Sequence, residues 1–166
     1  MATITLRGNP MDTVGDIPAP GSAAPDFTLT GGDLGPVTKE SLAGSRVVLN
    51  IFPSVDTPTC ATSVRTFNAR AAEMDNTKII NVSADLPFAQ GRFCGAEGIE
   101  NASTASTFRS PDFQEDYGVK VGEGVFAGLC ARAVVVLDTD GTVLHSELVG
   151  EIADEPNYDA AITALS

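Results

Sequence analysis

Three cysteines, one histidine and a compact Pro/Thr/Cys segment are the residues of this chain with chemistry to offer. Cys60, Cys94 and Cys130 are widely scattered, and no pair has C-x-x-C spacing. A zinc site would need all three together with His145, and their separation argues against that. In a reducing compartment the remaining uses of a thiol are inert packing and redox chemistry. The segment Pro53-Ser54-Val55-Asp56-Thr57-Pro58-Thr59-Cys60 bears on that choice. An attacking cysteine needs its sulfur as the thiolate, which free backbone N–H groups and a helix dipole favour. Thr57, three residues before Cys60, can turn a hydroxyl toward the sulfur, and a hydroxyl both donates and accepts. The same residues also suit a plain N-cap threonine and a buried, unreactive cysteine. Residue type alone leaves both readings open.

The elements around this segment decide whether such a placement is available. Val47 to Phe52 is a short run of β-branched and aromatic residues, the pattern of a strand buried on both faces, and Pro53 ends it. Cys60 to Met74 carries Val64, Phe67, Ala71 and Met74 on one helical face, so a helix is expected with Cys60 in its first turn. Ile79 to Ser83 and Ala133 to Leu137 read as two more buried strands. Pro87 to Phe93 and Asp112 to Tyr117 read as short helices, the first opened by Pro87 and the second stopped by Gly118. Cys94 then follows the first of these, flanked by Gly91, Gly95 and Gly98, which lower the resistance of a segment to rearrangement. Ile4 to Val14 reads as a hairpin about Gly8-Asn9-Pro10, Phe27 to Thr30 as a strand turned by Gly31-Gly32-Asp33, and Thr142 to Val149 as the partner of Ala133 to Leu137. A last helix is expected from Glu155 through Leu165. Strands alternating with helices, followed by a hairpin and a helix, imply an α/β fold. It has a mixed central β-sheet with helices on both faces, the layout of a thioredoxin-like sandwich with an added N-terminal β-hairpin.

Length and charge set the outer bounds. The chain has 166 residues, enough for one domain spanning 1–166, and hydrophobic residues make up 43%, so it is expected to be globular. Its net charge of −12 argues against nucleic acid or an anionic membrane as partner, since both select a basic footprint. Met1 to Gly21 lacks the apolar core of a secretory signal, and no apolar run approaches the roughly 20 residues of a membrane span. A cytoplasmic location is the expectation. His145 and the acidic residues Glu151, Asp154 and Glu155 read as structural or solvated surface, Cys130 reads as packing, and Asp56 carries no assigned role.

The pattern P-x-x-x-T-x-x-C, filled by Pro53, Thr57 and Cys60, resembles the active-site signature of the peroxiredoxins. The likeness extends over Asn50-Ile51-Phe52-Pro53-Ser54-Val55-Asp56-Thr57, Asp85-Leu86-Pro87-Phe88-Ala89-Gln90, Arg92-Phe93-Cys94-Gly95-Ala96-Glu97-Gly98 and Ala131-Arg132-Ala133-Val134-Val135-Val136. In these stretches the chain is similar to the bacterial thiol peroxidase subfamily, the atypical two-cysteine peroxiredoxins, nearly from end to end. The resemblance implies that Cys60 is the peroxidatic nucleophile and Cys94 the resolving cysteine of the same subunit. It implies that Arg132 is the active-site arginine, with Pro53 and Thr57 shaping the site. Further implications are a hydroperoxide substrate (alkyl hydroperoxides ahead of hydrogen peroxide), thioredoxin as reductant, a homodimer, and no metal, haem or flavin. Cys130 departs from the family, which commonly carries a small or apolar residue there. A disulfide reductase of the same layout would need C-x-x-C, and Ala61-Thr62-Ser63 supplies no second cysteine.

Overall fold

A computed structural model describes residues 1–166. The centre of the molecule is β5 (Arg46–Ile51), whose residues from Val47 onward are all buried. It pairs in parallel with β6 (Thr77–Ser83) on one side and antiparallel with β9 (Ala133–Leu137) on the other. Valine and isoleucine runs hold these positions because a strand covered on both faces has no polar side to present. β6 continues in parallel to β7 (Ser103–Ser106), which pairs with β3 (Thr28–Gly31), and β3 pairs with β4 (Pro36–Thr38). With β10 (Val143–Leu148) beside β9, the seven strands run in the order β10-β9-β5-β6-β7-β3-β4. The mixed sheet expected from the sequence is present.

Helices cover both faces. On one face α1 (Pro58–Ala69) and α4 (Tyr158–Thr163) bring Phe67 and Ala161 against Val48, Ile79, Val134 and Val136. On the other face α3 (Pro111–Asp116) brings Phe113 against the cluster of Leu49, Ile51, Val82 and Val135. Phe67 and Val64 are wholly buried, and each contributes roughly 1.5–3 kcal/mol by leaving water. α2 (Pro87–Glu97) lies beside β7, and its Gln90 amide donates to the Ala105 carbonyl at 3.0 Å.

Several boundaries differ from the sequence reading, each for a local reason. α1 stops at Ala69, and a 3₁₀ turn over Ala71–Glu73 follows. Met74 is extended yet still enters the cluster of Phe67, so the helical periodicity was carried past the real end of the helix. α2 runs on to Glu97, which puts Cys94 inside the helix rather than after it. α4 starts at Tyr158 and ends at Thr163, because Pro156 disfavours helical geometry at Glu155 and Asn157 serves as the cap, accepting from Ala160 N–H at 3.0 Å. Strands β4, β7 and β8 (Lys120–Val121) were not anticipated. Ser-Thr-Ala-Ser has no apolar alternation to read, and β7 is a strand because β6 and β3 flank it.

The N-terminal hairpin consists of β1 (Thr3–Leu6) and β2 (Asn9–Val14), with β8 added at its edge. Its turn is Arg7-Gly8, both at positive φ (51° and 83°), one residue before the turn expected at Gly8-Asn9-Pro10. Pro10 stands inside β2 opposite Thr5, in the pair whose nitrogens point away from the partner strand. Glu151 fixes this hairpin to the sheet. Its carboxylate accepts from Gly8 N–H at 2.9 Å, Thr5 Oγ1 at 3.0 Å and Ala153 N–H at 3.0 Å. Glu151 is thus a staple and not simply solvated surface.

The Ala153 and Gly8 N–H donors pull the Glu151 carboxyl from its usual 4.5 down to about 2. A depressed acid stabilises the fold above its unfolded value, and that contribution is lost as pH falls through the folded value. Protection of the β1–β2 amides is therefore expected to be complete above about pH 4.5 and to fade toward pH 2. Hydrogen exchange against pH reads this directly, and Glu151→Gln should weaken the protection and flatten its pH dependence.

Candidate active site

Cys60 sits where β5 hands over to α1. Thr57 is the N-cap residue, Pro58 and Thr59 open the helix, and Cys60 is the third residue within it. Pro58 suits the first turn because its missing N–H would find no partner there. The sulfur is wholly buried, in a small cluster with Phe52, Val55, Val64 and Phe93.

Arg132 immediately precedes β9 and is 2% exposed. The antiparallel pairing that sets Ala133 opposite Ile51 carries it to the end of β5 from which the Cys60 segment leaves. Its Nη2 donates to Cys60 Sγ at 3.2 Å and its Nε to the Ile152 carbonyl at 2.8 Å. Its Nη1 is buried without a partner, and no carboxylate pairs with the guanidinium. A buried cation in this setting needs an acceptor or an anion, and the sulfur is the nearest polar candidate that can become one.

A cavity of about 240 Å³ is lined by Arg132, Pro53, Thr57, Leu6, Phe126 and Ile152, among others. The arginine that holds the sulfur therefore also borders an open space of mixed lining, with Leu6, Phe126 and Ile152 beside Thr57, Thr59 and Arg7. Another cavity, of about 270 Å³, lies at the opposite end of β5 around Leu42, Lys39 and Asp138. It shares no lining residue with the cavity that Arg132 borders.

The other site residues of the sequence reading fall as follows. Pro53 is buried at the end of β5. Thr57 neither caps the helix with its side chain nor bonds the sulfur: its hydroxyl donates to the Ser54 carbonyl at 2.9 Å, and the residue lines the cavity. Cys94 is half-buried in α2 and packs against the Cys60 cluster, and both thiols are free. Burial pushes the Cys94 thiol up. The Cys94 carbonyl accepts from Gly98 and Ile99 N–H, and Gly98 at φ 66° ends the helix. Cys130 is wholly buried, takes a hydrogen bond from the Gln114 amide at 3.3 Å, and is pushed up to about 12 by desolvation. His145 lies on β10, and its buried Nε2 has no partner.

Three residues with structural weight here were not singled out from the sequence. Asp56 forms a surface ion pair with Arg92 of α2 at 3.2 Å. Asp85 accepts from Ser54 Oγ and Val55 N–H, fixing the loop ahead of Cys60. Ile152 supplies the carbonyl that aims Arg132. Only Asp85 left a trace in sequence, an acid between a buried strand and a Leu-Pro helix start, and its partners come from a segment thirty residues away.

The family described as Redoxin matches residues 19–162. The chain belongs to the Redoxin family. It is 62% identical over 165 residues, 99% of each chain, to the "Thiol peroxidase" of Mycobacterium tuberculosis, and equally so to that of Mycobacterium bovis. Within the family it therefore groups with the thiol peroxidases. Among solved structures it superposes on a peroxiredoxin-like protein from Aquifex aeolicus with TM-score 0.91 at 40% identity, covering 99% of this chain and 96% of that one. It superposes equally well, TM-score 0.91, on the thiol peroxidase from Chromobacterium violaceum over 98% and 94% of the chains, where 24% identity speaks to fold alone. The thioredoxin-like layout of this redoxin is thus shared with peroxiredoxin structures.

The three thiols are expected to differ in reactivity. In native protein at pH 7, an alkylating agent should leave Cys130 unlabelled, since a thiol pushed up to about 12 and wholly buried has almost no accessible thiolate. Labelling of the half-buried Cys94 should precede it, and denaturation should expose all three. A time course with peptide mapping checks the order.

Proposed function

We propose that this chain reduces hydroperoxides through Cys60, the activity for which its full-length relatives are named. The observation that carries the reading is the buried Arg132 fork, with one nitrogen on the Cys60 sulfur and another unpartnered, on a residue that lines the adjoining cavity. That arrangement supports charge on the sulfur and on a second acceptor next to it, which is what a peroxide bond needs as it breaks.

In the proposed reaction the Cys60 thiolate attacks one peroxide oxygen, the S–O bond forms, and the O–O bond breaks with its electron pair leaving on RO⁻. A proton then gives ROH, and Cys60 is left as the sulfenic acid. The Arg132 Nη1 is the donor available to the departing or transferred oxygen. Thr57, its hydroxyl hydrogen committed to Ser54, offers lone pairs to the O–H of the peroxide. Pro53 keeps water from the sulfur. Cys94 then attacks the sulfenic sulfur, an S–S bond forms, and water leaves. A dithiol of the thioredoxin type returns both cysteines to thiols in a two-electron exchange.

Cys60 lies wholly buried in α1 and Cys94 half-buried in α2, and the proposed bridge is reached by local unwinding of these helices. α2 is suited to it. Gly91 and Gly95 each cost a helix roughly 0.5–1 kcal/mol against alanine, and a Cβ at either position would meet nothing within 4 Å. Packing does not require these glycines. A cycle that returns a disulfide to thiols needs a reducing compartment, so the proposed setting is the cytoplasm; the chain holds no helix long and apolar enough to cross a membrane.

Reduced protein treated with one equivalent of cumene hydroperoxide and mapped without reductant tests the cycle. Loss of two hydrogens and a Cys60–Cys94 linked peptide are expected. Oxygen retained on Cys60 with Cys94 free would make it a one-cysteine peroxidase, a link to Cys130 would reassign the resolving role, and an unreacted Cys60 would refute the proposal.

Arg132→Lys keeps the charge and loses the fork, so kcat/KM for the hydroperoxide should fall about 10²–10³-fold, the usual effect of removing a preorganised donor to a developing oxyanion. Steady-state turnover with a thioredoxin system measures it.

A further inference from the structure

The loop ahead of Cys60 and the helix that carries Cys94 share a hydrogen-bonded junction, and Asp85 is its centre. Asp85 lies between β6 and α2 and is partly buried. Its Oδ1 accepts from Ser54 Oγ at 2.7 Å. Its Oδ2 accepts from Val55 N–H at 2.9 Å and from Ser83 Oγ at 2.6 Å. Ser83 Oγ in turn accepts from the Gln90 amide of α2 at 3.0 Å, and that amide is itself buried. On the loop side, Ser54 Oγ accepts from Asp56 N–H at 3.1 Å, and the Ser54 carbonyl accepts from both Thr57 Oγ1 and Thr57 N–H. One carboxylate thus runs a continuous chain from Gln90, four residues before Cys94, to Thr57, three residues before Cys60.

We propose that Asp85 is a positioning residue that latches the Cys60 loop to the start of α2, holding the closed geometry used for peroxide attack and delaying the opening that lets Cys94 reach Cys60. The inference rests on the two-cysteine cycle proposed above. A carboxylate is the right group for a latch of this kind. It accepts all three bonds at once with nothing to donate, and charge-assisted bonds are the stronger ones. The fixed Val55 N–H cannot turn to another partner, unlike the two serine hydroxyls. Two exposed ion pairs, both at 3.2 Å, tie α2 to the loop (Asp56–Arg92) and to α1 (Arg65–Glu97) on either side of Cys94. They are exposed or half-exposed and screened by salt, so the partly buried carboxylate carries the connection.

The latch makes two rate constants move in opposite directions, which a merely structural role would not do. In Asp85→Asn the second-order rate of Cys60 oxidation should fall by about tenfold to hundredfold, the loss expected for one charge-assisted hydrogen bond. The first-order rate of Cys60–Cys94 closure should rise, and less Cys60 should pass to sulfinic acid under excess peroxide. Ser54→Ala, which removes the two bonds made by Ser54 Oγ and leaves the Asp85 carboxylate with its Val55 and Ser83 partners, should show the same two shifts on a smaller scale. Rapid acid quench with mass spectrometry resolves thiol, sulfenic acid and disulfide over time.

Oxidation and closure that slow together in both variants would overturn the latch, as would unchanged rates in a folded Asp85→Asn. If Asp85→Asn fails to fold, Ser54→Ala decides alone by the same criteria. Wild-type protein run beside them separates the two levels. No Cys60–Cys94 bridge in the wild type means that the cycle itself is wrong, whereas a wild-type bridge with unshifted variants refutes only the role of Asp85.

Discussion

A guanidinium buried to 2% exposure, with no carboxylate to meet it, is the constraint around which this molecule is arranged. Burying a charge without compensation costs several kcal/mol, and a protein retains such a group only where its donors are used. Here the Ile152 carbonyl takes one donor and the Cys60 sulfur another, leaving Nη1 as the open one. The sheet exists, from the point of view of this pair, to set two chain ends side by side. β9 delivers Arg132, β5 delivers the loop and first turn that hold Cys60, and their antiparallel register fixes the distance between them. In the proposed reaction the sulfur becomes the missing anion, so the cost of burying the cation is offset by the species that does the chemistry.

The closed geometry stands against the second half of the proposed cycle. Cys60 is wholly buried, Cys94 is half-buried within a continuous helix, and both thiols are free. The structure places weak elements where opening must occur. α1 begins with an N-cap whose side chain makes no capping bond, and α2 carries glycines that no packing demands. Around them, Phe93 in the Cys60 cluster and the Gln90 amide keep α2 docked. Local stability is thus distributed unevenly, with firm strands beneath two helix ends that are cheaper to melt.

Glu151, by contrast, belongs to the permanent frame. It fastens the N-terminal hairpin beside Ile152, so Leu6 joins the wall of the cavity that Arg132 faces. The hairpin therefore completes a site whose reactive residues lie more than fifty positions away in sequence.

The sequence by itself determined the buried strands, because Val47 to Phe52, Ile79 to Ser83 and Ala133 to Leu137 are apolar enough that only a two-sided core accommodates them. It also placed Cys60 in the first turn of a helix, which begins two residues earlier at Pro58, and its resemblance to the peroxiredoxin signature grouped Pro53, Thr57, Cys60, Cys94 and Arg132. It could not place Cys94 within α2 rather than after it. The stop signal is the left-handed conformation of Gly98, and three glycines competed for that role. Nor could it show β7, whose four small residues become a strand only between β6 and β3, or the turn at Arg7-Gly8, whose neighbour Gly8-Asn9-Pro10 looks equally suitable. Tertiary structure alone decided which donor of Arg132 meets the sulfur, that the Thr57 hydroxyl turns to Ser54, and that Asp85 spans two elements. Patterns of hydrophobicity and helix signals are local and repeat along the chain, so they can be read from it. The direction of a single hydrogen bond between residues 30 to 72 positions apart is fixed only when the folded sheet brings their elements together.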